Sequence, residues 1–154
     1  MNYNKILEQI KKKPRVHGYT SLDTETKLSP IHGLGLFAIK NIDKDKVVTV
    51  WGGCITTKEE IKKLSKNIGF EYALEIYPGF YIAERKESEL DSSDFINHSC
   101  SENSKIINRL VMITKRKIKK GEELTADFSN KTGKGMRFKC NCGDKNCKKI
   151  VYFD

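Results

Sequence analysis

No stretch of this sequence approaches the ~18 consecutive apolar residues that a membrane-crossing helix requires. Residues 1–13 contain no apolar h-region, so nothing there reads as a secretory signal. The expectation is an intracellular chain without membrane contact, in which thiols stay reduced. A C-x-x-C pair is missing too, which argues against a redox dithiol. No internal repeat or low-complexity tract is present. Lysines cluster at Lys11-Lys12-Lys13 and across residues 115–120, but no aromatic residues are interleaved with them. The pattern therefore lacks a stacking platform for nucleic acid.

What is there is a 154-residue chain, 38% hydrophobic and 32% charged, which suits one core with short extensions. Its 29 basic against 20 acidic residues leave a net charge of +9. Such an excess attracts anionic surroundings, nucleic acid included, but the scattered lysines fit a solvated exterior better.

Five cysteines are present, and four of them suggest chemistry. Cys140, Cys142 and Cys147 form a C-x-C-x4-C tail that cannot close a metal site alone. A structural zinc wants four ligands in a tetrahedron, and Cys100 is the obvious fourth. A disulfide framework is the other reading, disfavoured where thiols are reduced. Cys54 is left over and suits a small, half-buried apolar position.

Along the chain, Ile6, Leu7 and Ile10 fall at helical spacing before Pro14. Leu36-Phe37-Ala38-Ile39 and Val47-Val48-Thr49-Val50-Trp51 read as strands joined by a turn at residues 41–45. Thr57-Lys58-Glu59-Glu60 has the form of a capping box, and Ile61 and Leu64 continue at helical spacing. That helix should stop near residues 67–69. Strands are expected at residues 71–76, 81–83, 110–113 and 123–125, with turns at Pro78-Gly79 and Lys119-Lys120-Gly121. The class is mainly β, with small sheets and few helices.

Four segments in this order resemble the SET domain of protein lysine methyltransferases with a post-SET tail. They are His32-Gly33-Leu34-Gly35-Leu36-Phe37-Ala38, Trp51-Gly52-Gly53, Asp94-Phe95-Ile96-Asn97-His98-Ser99-Cys100 with Asn103 after it, and Gly121-Glu122-Glu123-Leu124-Thr125-Ala126-Asp127-Phe128. The cysteine tail follows the fourth. The resemblance implies a fold of small curved sheets, a C-terminal segment threaded near the active site and a zinc-bound tail. It also implies three regions: a basic extension at 1–27, a SET domain at 28–130 and a post-SET tail at 131–154.

It further implies S-adenosylmethionine as methyl donor and a protein lysine as acceptor. Gly33, Leu34 and Gly35, Asn97, the main chain of His98, and Phe138 over the adenine would hold the cofactor. The zinc on Cys100, Cys140, Cys142 and Cys147 would be structural, with no open position. Phe128 stands where most relatives place a tyrosine, Ala126 where an aromatic is usual, Trp51 for a tyrosine and Asp94 for an arginine. Phe128, Trp51 and Tyr72 are the candidates for the reacting centre, and Tyr72, Tyr81 or Tyr152 could supply the missing hydroxyl. The other class to which this pattern leads is a catalytically weak SET module that binds cofactor and peptide. Histones, other basic DNA-associated proteins and ribosomal proteins are the implied acceptors. The location would be cytoplasmic in a prokaryote and nuclear in a eukaryote or a host.

Overall fold

The computed structural model describes residues 1–13, 15–64, 68, 72–129 and 137–152. Pro14, the expected helix stop near residues 67–69 (Ile68 apart) and the expected boundary at 130/131 lie outside them.

Among the described residues, thirteen strands make four small sheets. The first joins β1 (Tyr19–Thr20), β4 (Val47–Val50), β10 (Val111–Thr114) and β9 (Ser104–Ile107) in that spatial order. The second joins β2 (Thr24–Leu28), β3 (Leu34–Ala38), β11 (Glu123–Ala126) and β8 (Asn97–His98). A third has the order β5 (Cys54–Thr57), β7 (Phe80–Ala83) and β6 (Ala73–Tyr77), and the last is the hairpin of β12 (Arg137–Lys139) and β13 (Ile150–Tyr152).

The core lies where the first two sheets meet. Leu36, Val48, Met112 and Leu124 point inward from β3, β4, β10 and β11, and all four are fully buried. Each such side chain stabilises the fold by about 1.5–3 kcal/mol relative to exposure. Ile42 and Ile118 join the cluster from loops, where their backbones pair as an isolated bridge. One pairing matters most for function. β8 runs parallel to β11, with Asn97 opposite Thr125 and His98 opposite Ala126, so the third and fourth sequence motifs lie side by side.

The first 27 residues are woven into this fold. Helix α1 (Tyr3–Lys12) is capped by Asn2, whose side chain accepts from the Lys5 N–H, and it buries Ile6 and Ile10 against Leu34, Leu90 and Phe95. Gln9 donates to the carbonyls of Glu87 and Leu90. Downstream, the N–H groups of Val16, His17 and Gly18 all donate to one oxygen of Asp91. The expected division between residues 27 and 28 falls inside β2, a strand whose polar sequence carries little signal.

The capping box forms as expected, with Thr57 Oγ1 accepting from the Glu60 N–H and the Glu60 carboxylate accepting from the Thr57 N–H. Helix α2 (Lys58–Ile61) is only four residues long, shorter than the apolar spacing suggests. Ile61 is nonetheless anchored against Ala73, Tyr81 and Ala83, and Leu64 packs on the same cluster beyond the helix.

Candidate active site and metal centre

Cys100 follows β8, and Cys140 follows β12. The Sγ atoms of Cys100, Cys140, Cys142 and Cys147 all lie within 4.8 Å of one another. Cys100 and Cys140 are 3.8 Å apart, which is the edge of a tetrahedron with metal–sulfur bonds of about 2.3 Å. Backbone N–H groups of Lys148 and Lys149 donate to the sulfurs of Cys100 and Cys147, at 3.4 Å each. Burial pushes the Cys140 and Cys100 thiols up. At Cys142 burial acts the same way but is overcome by hydrogen bonds from the backbone at Cys100 and Asp144, and its thiol falls to about 6. Crowded thiols lose protons one at a time, because each thiolate opposes the next; a divalent cation among them would lift that restriction. Cys54 stands apart, on β5 opposite Ala83.

Beside this cluster opens a cavity of about 530 Å³. Its lining draws on all four sequence motifs and the tail: Ile31 and His32, Trp51 and Gly52, Asp94 with Ile96 to His98, and Phe128, then Arg137 to Asn141. Leu74 and Ile82 close it from the three-stranded sheet, with Tyr72 just before β6. Trp51 and Phe128 meet edge to face at 6.2 Å, and Phe138 packs edge to face on the His98 ring at 5.2 Å.

His98 ties the cavity to the cysteines. The Phe128 N–H donates to its Nδ1 at 3.3 Å, so Nδ1 is an acceptor there, and Nε2 lies 3.5 Å from Cys100 Sγ. Burial is the main cause that lowers its basicity, with Asp127, 3.4 Å away, pulling the other way. In the neutral ring with Nδ1 accepting, Nε2 carries the hydrogen and points it at sulfur.

Asn97 is held just as firmly. Its Nδ2 lies 2.7 Å from Glu123 Oε1, 2.9 Å from the Leu34 carbonyl and 3.2 Å from that of His32. Glu123 is itself fixed by the Ser29 hydroxyl. These acceptors settle which end of the amide is nitrogen and leave Oδ1 for a ligand. Glu123 sits within the fourth motif, yet nothing in the motif itself marks it as the partner of Asn97.

Six expected residues thus converge on one cavity: Trp51, Tyr72, Asn97, His98, Phe128 and Phe138. The Gly-x-Gly segment stands differently. Leu34 is buried against α1 and reaches only a smaller recess next door. A Cβ on Gly33 (φ +48°) would come within 2.5 Å of the Tyr3 ring, and one on Gly35 within 2.2 Å of Glu123. The positive φ favours glycine at position 33, and a side chain at Gly35 would displace the Glu123 carboxylate that holds Asn97. Of the tyrosines that could supply a hydroxyl, Tyr81 is buried beside Glu75 and Tyr152 is exposed on β13. Tyr72 borders the cavity, its hydroxyl 3.1 Å from Met1 Sδ. Asp94 also lines the wall, and burial raises its carboxyl well above the usual range.

The family model for the SET domain matches residues 33–129. The chain belongs to the SET-domain family. It is 35% identical over 134 residues to the histone-lysine N-methyltransferase, H3 lysine-4 specific, of Neurospora crassa, over 78% of this chain and 10% of that protein. It is 31% identical over 137 residues to histone-lysine N-methyltransferase 2B of Homo sapiens, over 80% of this chain and 5% of that one. This chain thus spans only a small part of these relatives, and 12% and 14% of the same-named proteins of Chaetomium globosum and Schizosaccharomyces pombe. Among solved structures, the methyltransferase domain of human SETMAR superimposes with a TM-score of 0.70 at 21% identity, over 88% of this chain and 60% of that one. KRYPTONITE in complex with mCHG DNA and SAH gives 0.67 at 23%, over 86% and 30%. These two likenesses concern the SET fold. No helix among the described residues is long and apolar enough to cross a membrane.

Proposed function

We propose that this SET domain is an S-adenosylmethionine-dependent protein lysine N-methyltransferase. The observation that carries the reading is the single cavity shared by Asn97, His98, the Trp51–Phe128 pair and the cysteine tail. At about 530 Å³ it is within the range of about 300–1,000 Å³ typical of small-molecule sites. Its donor set suits the cofactor: Asn97 Oδ1 can accept from an adenine amine, and Phe138 offers a ring face or edge to the base. Bound there, S-adenosylmethionine would supply an electrophilic methyl group on a sulfonium. The four cysteines would hold one structural zinc, with no ligand position open for catalysis.

The chain's own residues then have three tasks. Asn97 and the backbone beside it orient the donor, held in place by Glu123. Trp51, Phe128, Leu74 and Ile82 exclude water from the acceptor. A lysine amine normally keeps its proton up to a pH near 10.4, and an apolar channel lowers that value by disfavouring the charged form. Most of the acceleration should then come from alignment. Tyr72 is the hydroxyl-bearing residue best placed to guide the amine.

Phe128 favours a second reading, a weak module that binds cofactor and peptide, because a preorganised hydroxyl can be worth about 3–4 kcal/mol at a transition state. Transfer of labelled methyl groups into a protein mixture separates the two. Detectable transfer by the native chain is expected, with less than a hundredfold gain in Phe128→Tyr. A gain of about a hundredfold or more, at unchanged cofactor affinity, would support the weak module instead.

A further inference from the structure

This inference rests on the methyltransferase reading and concerns its acceptor. The charges around the cavity are uneven. Arg137 and Lys139, both exposed, border it from β12, whereas the one carboxyl in its lining, Asp94, is half-buried. Lys145, Lys148 and Lys149 are exposed on the same tail, and none of these five cations makes an ion pair among the described residues. The only acid between residues 137 and 152 is Asp144, whose carboxylate accepts from the Asn146 N–H at 2.7 Å. An acceptor segment that approaches along β12 meets a rim of exposed cations that have no ion-pair partner among the described residues.

We propose that the preferred acceptor is a lysine in an extended segment flanked by acidic residues, rather than one in a basic tail. Arg137 and Lys139 are two residues apart on a strand, which sets them about 7 Å apart. Carboxylates at alternate positions of an extended peptide have the same spacing and would meet them. Arginines or lysines there would set like charges together, which discriminates strongly against a partner. The cationic rim acts in catalysis too, since neighbouring positive charge favours the neutral, reactive amine. The Neurospora relative is named for lysine 4 of H3, and histones are basic proteins, so this rim marks a different acceptor.

Two fluorescein-labelled peptides of equal length test it, each with one central lysine, flanked by glutamates in one and arginines in the other. Fluorescence anisotropy at physiological ionic strength should show the acidic peptide bound about tenfold tighter or more. Arg137→Glu/Lys139→Glu should abolish or reverse that preference. Lys44→Glu/Lys117→Glu makes the same change in net charge at exposed positions outside the cavity lining, and should keep it. Circular dichroism establishes that each variant is folded, and Arg137→Gln/Lys139→Gln is the milder substitute. Equal or stronger binding of the basic peptide would overturn the proposal, as would loss of preference in the Lys44/Lys117 variant. Methyl transfer is read separately. Failure to methylate either peptide or any protein acceptor, with the binding preference intact, would count against the methyltransferase reading alone.

Discussion

His98 shows how much of this site depends on one ring. Its Nδ1 accepts from the backbone of Phe128, its Nε2 faces Cys100 Sγ, and its side meets Phe138. Removing the ring would take a donor from the Cys100 sulfur, one of the four proposed zinc ligands, and a support from both walls of the cavity. Outer partners of metal ligands are typically worth 10–100-fold in affinity. His98→Ala is therefore expected to lose zinc to a chromogenic chelator at least about tenfold more readily than the native chain. Cofactor affinity should fall with it. Unchanged zinc retention would mean that the ring serves packing alone. The resemblance implies a cofactor role for the His98 main chain, and its side chain reads from sequence as no more than a buried histidine with a satisfied partner. That role arises only because parallel pairing of β8 with β11 brings residues 98, 100 and 128 together across 30 positions. Motif residues were legible because the chemistry restricts their type; their partners, such as Glu123 for Asn97, were not.

At the scale of elements, Asp91 fastens the segment before β1 to the loop before β8. One of its oxygens accepts from Val16, His17 and Gly18, and the other from the Ser93 N–H and hydroxyl. Burial opposes ionisation of Asp91, but these hydrogen bonds prevail and its pKa is lowered. A depressed carboxyl contributes stability that is complete above its unfolded value, near 3.9, and is lost as pH falls through the folded one. Asp94 has the opposite sign: burial raises it, so folding binds a proton there in the range above the unfolded value. Asp91→Asn should cost about 2–3 kcal/mol at neutral pH by leaving buried N–H groups poorly paired. Its urea midpoint should then fall less than the native one on acidification below pH ~4. Parallel losses in both proteins would show that Asp91 is not the group that titrates. The strands of the core were legible because residues such as Val47 to Val50 are β-branched and bounded by turns. β2 and the β12–β13 hairpin were not, since TETKL and RFK show no apolar alternation and gain their place only from partners.

At the scale of the molecule, the question is what holds the tail against the domain. β12 and β13 are three residues each, and an isolated two-stranded hairpin is marginal in water. Buried Cys140 and Val151 and the Phe138–His98 contact tie it down only in part. The core at Leu36, Val48, Met112 and Leu124 and the α1 cluster contain none of the four cysteines. Zinc removal should therefore act on the tail more than on the fold. Chelation is expected to leave most of the far-ultraviolet dichroism in place while cofactor affinity drops by about tenfold or more, because binding and metal are linked through the shared wall. Cys142→Ser should reproduce that loss, and Cys54→Ser should leave one zinc per chain, as its position on β5 requires. Calorimetry on the native and chelated chain decides the matter together with elemental analysis. Global unfolding on chelation would mean that the metal supports the whole domain. Equal cofactor affinity with and without zinc would mean that Phe138 and the cysteine tail form no part of the binding site.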